Sequence, residues 1–240
     1  MTTETTEHLQ PAGEHTARMW EQTADIRARI EQLPFLTQLA DGTLDPEKFA
    51  YYIGQDTHYL DDYQRAMLLI AARAPIAEEM RFWAKSAVGA IAEEKEMHKA
   101  LSTDRTLQQF DLTNVQKALP TFAYGSYLVA SAATDPYPVA ATSVLPCYWI
   151  FADAGRRLAA TAAVVKESGA DHPYATWAHA YGDEGFQSIT GQAIAIVERA
   201  LTDATAAERD DAMEAFRRAT RLEELFWEAP MGGEDIRRVV

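Results

Sequence analysis

Three groups of residues in this chain have the types and spacing to do chemistry. Tyr52, Asp56, Tyr59 and Tyr63 follow one another at intervals of four, three and four residues. At 3.6 residues per helical turn they share one stripe. A carboxylate among phenols on the inward side of a helix describes a polar pocket in a bundle; the alternative is a helix–helix contact with hydroxyls at its rim. Cys147 lies in the run Leu145-Pro146-Cys147-Tyr148-Trp149. Pro146 removes a backbone donor and opens the helix locally, giving the thiol the access a nucleophile needs. The alternative for such a cysteine is inert packing. Glu223 and Trp227 stand one turn apart in Arg221-Leu222-Glu223-Glu224-Leu225-Phe226-Trp227. A carboxyl held against aromatic rings is pushed toward its neutral form, the state of a general acid. The alternative is a solvated glutamate, which is the reading for Glu224.

Metal and cofactor chemistry fit the sequence poorly. A di-iron carboxylate bundle needs a Glu-x-x-His pair on each of two helices, and the chain contains none. In Glu93-Glu94-Lys95-Glu96-Met97-His98 the histidine follows Glu94 by four and Glu96 by two, so this run reads as a charged helix face. His15 is a candidate axial haem ligand, but its neighbourhood reads as an N-terminal cap or exposed turn. Phosphate-binding glycine loops and the Gly-x-Ser-x-Gly nucleophile turn are missing. The expectation is a site with no metal and no cofactor.

These residues must be positioned by helices, because no useful period-two segment interrupts the helical spacing. A first helix is expected from about Glu14 to Gln32, ended by Pro34. Asp45-Pro46-Glu47 is a strong start signal: an N-cap, a proline at the first helical position and an acid in the first turn. That helix, carrying the tyrosine stripe, runs to about Ala74. Others are expected over 76–101, over 114–133 with Pro120 inside or bending it, and over 139–167 with a kink at Pro146. Three more follow, at 173–188, 191–201 and 206–229. The chain reads as an arm over residues 1–13, one all-α domain over 14–230 and a tail over 231–240.

Composition bounds the partners. The 240 residues are 48% hydrophobic and 24% charged, enough apolar content for a packed core. A net charge of −14 argues against nucleic acid and anionic membrane surfaces. One cysteine excludes an intramolecular disulfide and any multi-cysteine zinc site. The polar start and the lack of a bilayer-length apolar run predict a cytoplasmic protein.

Taken together, these motifs resemble those of the TenA/thiaminase II family. The likeness spans about residues 15–230. It is carried by Asp41-Gly42-Thr43-Leu44, the stretch from Phe49 to Leu60, Glu94 to His98, and Pro120 with Tyr124. Leu145 to Trp149, Tyr181-Gly182, and Glu223 to Trp227 followed by Ala229 complete it. The resemblance implies a haem-oxygenase-like helical bundle that binds no haem, and places the chain in the family's cysteine-containing branch. It implies hydrolysis of 4-amino-5-aminomethyl-2-methylpyrimidine to the hydroxymethylpyrimidine and ammonia, with thiamine as a second substrate. By position, Cys147 matches the nucleophile and Glu223 the acid/base at a ring nitrogen. Asp56 matches the carboxylate that binds the substrate's amino group. Tyr59, Tyr124 and Tyr181 match pocket tyrosines, and Tyr52 lines the same wall. Phe151 stands where the family often has tyrosine, removing one hydroxyl. Relatives are commonly homotetramers, so assembly through helix faces is expected. A non-catalytic pyrimidine binder or regulator, and a metal-dependent oxygenase on the same fold, are the competing readings.

Overall fold

A computed structural model describes residues 9–103, 107, 109–112, 115–167, 172–174 and 184–232, without the side chains of 91–103 and 166. Among the described residues there are ten α-helices and no strand. They are α1 (Glu14–Gln22), α2 (Ala24–Ile30), α3 (Pro34–Asp41), α4 (Pro46–Arg73) and α5 (Ala77–Thr103), then α6 (Leu119–Thr134), α7 (Tyr137–Ser143), α8 (Pro146–Glu167), α9 (Glu184–Thr202) and α10 (Ala206–Glu228). A 3₁₀ turn at Ala229–Met231 follows.

Local chemistry sets the helix limits. Asp45 caps α4 as expected, its carboxylate accepting from the Glu47 N–H at 2.9 Å. Thr205 and Glu208 form a reciprocal capping box at the start of α10. Gly42 ends α3 at φ +81°, a conformation that costs glycine little and other residues more.

Several expected boundaries change, chiefly at prolines. The expected first helix is two: α1 and α2 meet at Thr23, whose buried hydroxyl bonds the Met19 carbonyl at 2.9 Å. Pro34, expected only to end the first helix, starts α3. Pro120 lies in the first turn of α6, which begins at Leu119 and not near Asn114. The long helix expected over 139–167 is broken outright: α7 ends at Ser143 and Pro146 opens α8. In each case proline takes a first-turn position, where the absent N–H would have no helical partner. The break expected near Gly191 does not occur. Buried Thr190, Ala193, Ile194 and Val197 form one stripe that holds α9 continuous. The helix expected over 173–188 falls largely outside the described residues.

The helices pack as a bundle around α4, which runs against α5 and α6, while α10 closes on α6 and α7 and α3 lies against α8. Trp83, Trp149, Trp227, Tyr52 and Tyr124 are fully buried among them. Of the expected N-terminal arm, residues 9–13 lie against the bundle: Trp149 Nε1 donates to the Leu9 carbonyl at 3.3 Å. Among the described residues no helix is long and apolar enough to cross a membrane.

Candidate active site

Four helices bring the candidate residues to one place. α4 supplies Asp56 and Tyr59, α6 supplies Tyr124, α8 supplies Cys147 and α10 supplies Glu223. The Tyr59 hydroxyl donates to Cys147 Sγ at 2.6 Å. Tyr124 Oη lies 3.0 Å from the same sulfur and donates to Glu223 Oε1 at 2.9 Å. One phenol thus bridges the thiol and the carboxyl, and all of these residues are buried.

The tyrosine stripe of α4 faces inward, with Tyr52, Asp56, Tyr59 and Tyr63 all buried. Tyr63 stacks on Tyr59 at 5.5 Å, and Tyr59 tilts against Tyr124 at 5.1 Å. Tyr52 sits a turn away from Asp56, with Phe226 between it and Tyr59: the Phe226 ring lies 5.7 Å from Tyr52 and 5.4 Å from Tyr59. Phe226 belongs to the run containing Glu223, but its part in this wall depends on how α10 meets α4, which spacing along one helix does not give. Phe151 packs on Trp227 at 5.6 Å and on Phe186 at 6.1 Å. Tyr181 and the side chains of Glu94 and His98 lie outside the described residues.

The expectation of an accessible thiol is corrected. Cys147 is 8% exposed, because the break at Pro146 turns the first residues of α8 inward onto the tyrosines. Burial, and then the nearby Glu223 charge, push its pKa well up; the two phenols and a backbone N–H pull the other way. Its place in the first turn of α8 adds the positive end of a helix dipole, which favours thiolate once the sulfur is deprotonated.

Glu223, 3% exposed, has its pKa raised to about 8. Burial is the main cause and the Asp56 charge adds to it, while the hydrogen bonds to Tyr124 and Cys147 oppose it. At neutral pH the carboxyl is therefore mostly a proton donor. Burial likewise pushes the Tyr59, Tyr63 and Tyr124 phenols up, keeping them protonated as donors. A buried thiol, a buried neutral acid, a second carboxylate and phenolic donors within aromatic walls suit nucleophilic addition to an electron-poor ring with coupled proton transfer.

Glu224, read as solvated, is buried instead. It is bound by Arg29 at 2.8 Å and by Arg221, and these cations hold its pKa below the usual range. His15 stands in the first turn of α1, where its backbone N–H donates to Glu198 Oε1 at 3.2 Å, as an N-terminal turn does. Among the described residues no group of three or more His, Cys, Asp or Glu side chains is placed to hold a metal ion.

Comparison with known proteins gives this geometry a context. The model of the TENA/THI-4/PQQC family matches residues 20–233. The thiamine biosynthesis multifunctional protein ThiED of Corynebacterium efficiens is 40% identical over 197 residues, covering 82% of this chain and 25% of that protein. The chain spans about a quarter of the length of this relative and of its Corynebacterium glutamicum counterpart. An aminopyrimidine aminohydrolase of Halalkalibacterium halodurans is 25% identical, covering 88% of this chain and 93% of that one. Among solved structures, a TenA homologue from P. horikoshii OT3 superposes with a TM-score of 0.79 at 23% identity, covering 91% and 98% of the two chains. A haem oxygenase of the cyanobacterium Synechocystis superposes at 0.59 with 14% identity, over 90% and 91%. The fold is the haem-oxygenase-like helical bundle.

Proposed function

Since this chain belongs to the TENA/THI-4/PQQC family, we propose that it is a hydrolase of thiamine-related pyrimidines. Its substrate is 4-amino-5-aminomethyl-2-methylpyrimidine, converted with water to the hydroxymethylpyrimidine and ammonia, and thiamine is the second substrate. The observation that carries this reading is the bridge from Cys147 through Tyr124 to Glu223. The named activity of the Halalkalibacterium halodurans relative agrees with it.

The chemistry follows from the protonation states. Glu223, as the acid, gives its proton to a ring nitrogen and draws electrons from the ring. Cys147 adds to the activated ring, and its own proton passes to the vacated carboxylate, directly or through Tyr124. The resulting enamine-like adduct expels the exocyclic amine, which leaves as ammonia with a proton from the site. Water then adds to the exocyclic carbon, the C–S bond breaks, and the proton released by water restores the starting thiol and acid. Asp56 holds the substrate's amino group, and the tyrosines exclude bulk water.

Replacing Cys147 by serine is expected to lower ammonia release by roughly a thousandfold or more while the unfolding midpoint stays near that of the parent. Turnover retained at the parent rate in a steady-state ammonia assay would remove the nucleophile assignment. Exposed Leu68, Met80 and Phe122 on α4, α5 and α6 are apolar surface for the homotetramer the reading includes. Light scattering giving a monomer's mass would overturn that assembly.

A further inference from the structure

α8 and α10 advance in step through the site. Phe151 stands one turn after Cys147, and Trp227 one turn after Glu223. The rings of Phe151 and Trp227 meet, so the two helices run in the same sense here. Helical side chains lean toward the N-terminus of their own helix. The Phe151–Trp227 pair is therefore the layer next to the Cys147–Glu223 pair, covering it from the C-terminal side.

That layer contains a polar atom with no use inside the protein. Trp227 is 1% exposed, and its indole Nε1 is buried without a hydrogen-bond partner. The other two fully buried tryptophans are satisfied: Trp83 Nε1 donates to Tyr137 Oη at 2.9 Å and Trp149 Nε1 to the Leu9 carbonyl. Phe151, whose ring faces Trp227, offers only hydrocarbon. Burying an N–H without an acceptor is unfavourable, and such groups call for a specific explanation.

A pyrimidine ring held at Cys147 and Glu223 with its exocyclic 5-carbon turned toward the Phe151–Trp227 layer would bring that carbon to the indole. An indole N–H is poorly matched to an ammonium, which is itself a donor, and well matched to the oxygen of water or a hydroxyl. We propose that Trp227 Nε1 is the hydrogen-bond donor to the oxygen that becomes the product's hydroxyl, orienting water as it attacks the exocyclic carbon and then holding the hydroxymethyl group. The proposal rests on the function proposed above. In that step the C–O bond forms, the C–S bond to Cys147 breaks, and the indole keeps its proton.

The test compares two unreactive ligands: 4-amino-5-hydroxymethyl-2-methylpyrimidine and its 5-methyl analogue, which lacks only the hydroxyl. Calorimetry should show the parent binding the hydroxymethyl compound about tenfold more tightly, the usual worth of one good hydrogen bond. Trp227→Phe should bind the two equally, with an unfolding midpoint unchanged or higher because an unpaired donor has been removed. A tenfold preference that survives in Trp227→Phe, or equal binding by the parent, overturns the assignment and leaves the hydrolase reading standing. A parent that binds neither compound overturns both. A second measurement requires no variant at this position: in ¹⁵N-tryptophan-labelled parent, one of the five indole signals should shift with the hydroxymethyl compound and not with the methyl analogue. Identical indole shifts with both ligands also overturn the proposal.

Discussion

Glu223 carries a proton that its surroundings force on it, and this links activity to stability. Its carboxyl is raised from an ordinary 4.5 to about 8. Below pH 4.5 it is protonated whether the chain is folded or not, and its ionisation costs folding nothing. Above that the unfolded chain ionises while the folded site stays protonated, so stability falls as pH rises from 4.5 through 8 and stays lower beyond. Glu223→Gln removes this penalty while keeping an oxygen to accept from Tyr124. At pH 9 its unfolding free energy should exceed the parent's by on the order of a few kcal/mol, and at pH 4 the two should agree. The same variant should lose about a hundredfold or more in kcat, because the amide has no proton to give the ring. In the parent, kcat/KM should decline as pH rises through about 8; a profile flat to pH 10 would separate this group from catalysis. The likeness assigned Glu223 and Cys147 their parts from chain position, but the phenol that joins them comes from a third helix.

At the scale of elements, the placement of Tyr124 depends on how α6 is tied to α4. Buried Gln55 donates to the Gln116 carbonyl at 2.8 Å, while its own carbonyl accepts from the Ala118 N–H at 2.9 Å and the Thr121 hydroxyl at 2.7 Å. Lys117 pairs with Asp62 at 2.7 Å along the same face. Gly54 lets this segment approach, since a Cβ there would lie 2.6 Å from Val115. Thr121 is one turn before Tyr124, so the amide of Gln55 sets the position of the bridging phenol from outside the reacting group. Gln55→Leu leaves buried Ala118 N–H and the Gln116 carbonyl unpaired and should cost about 2–4 kcal/mol in denaturant unfolding. kcat should fall in the same variant; an unchanged kcat would show that Tyr124 is held by other contacts. The sequence marks the start of α4 through Asp45 because caps are local. It misplaces the start of α6 because a proline fits both a bend and a first turn, and contact with α4 decides between them.

Across the whole molecule, a second buried charge network ties the helices together. Glu79 of α5 is almost fully buried and accepts from Tyr137 of α7 at 2.6 Å and from Arg199 of α9 at 2.8 and 2.9 Å. Arg199 is nearly half exposed, which lowers what the pair contributes. Arg199→Ala should still destabilise by about 1–3 kcal/mol, because it strands a buried carboxylate. Adding Glu79→Gln to that variant should recover part of the loss in thermal unfolding. No recovery would place the cost in lost packing of the arginine stem.

The sequence by itself determined the helical class, the single thiol and the candidates for nucleophile and acid, because helical spacing and residue type are properties of neighbours along the chain. It also held the motif order that marks the family. Tertiary structure decided that the thiol is buried, that Tyr124 bridges Cys147 and Glu223, that Glu224 is paired with arginines, and that the Trp227 indole N–H is buried without a partner. Each of these is a relation between helices distant in sequence. Burial and hydrogen-bond partners, which set proton affinity and reactivity, exist only once those helices have packed.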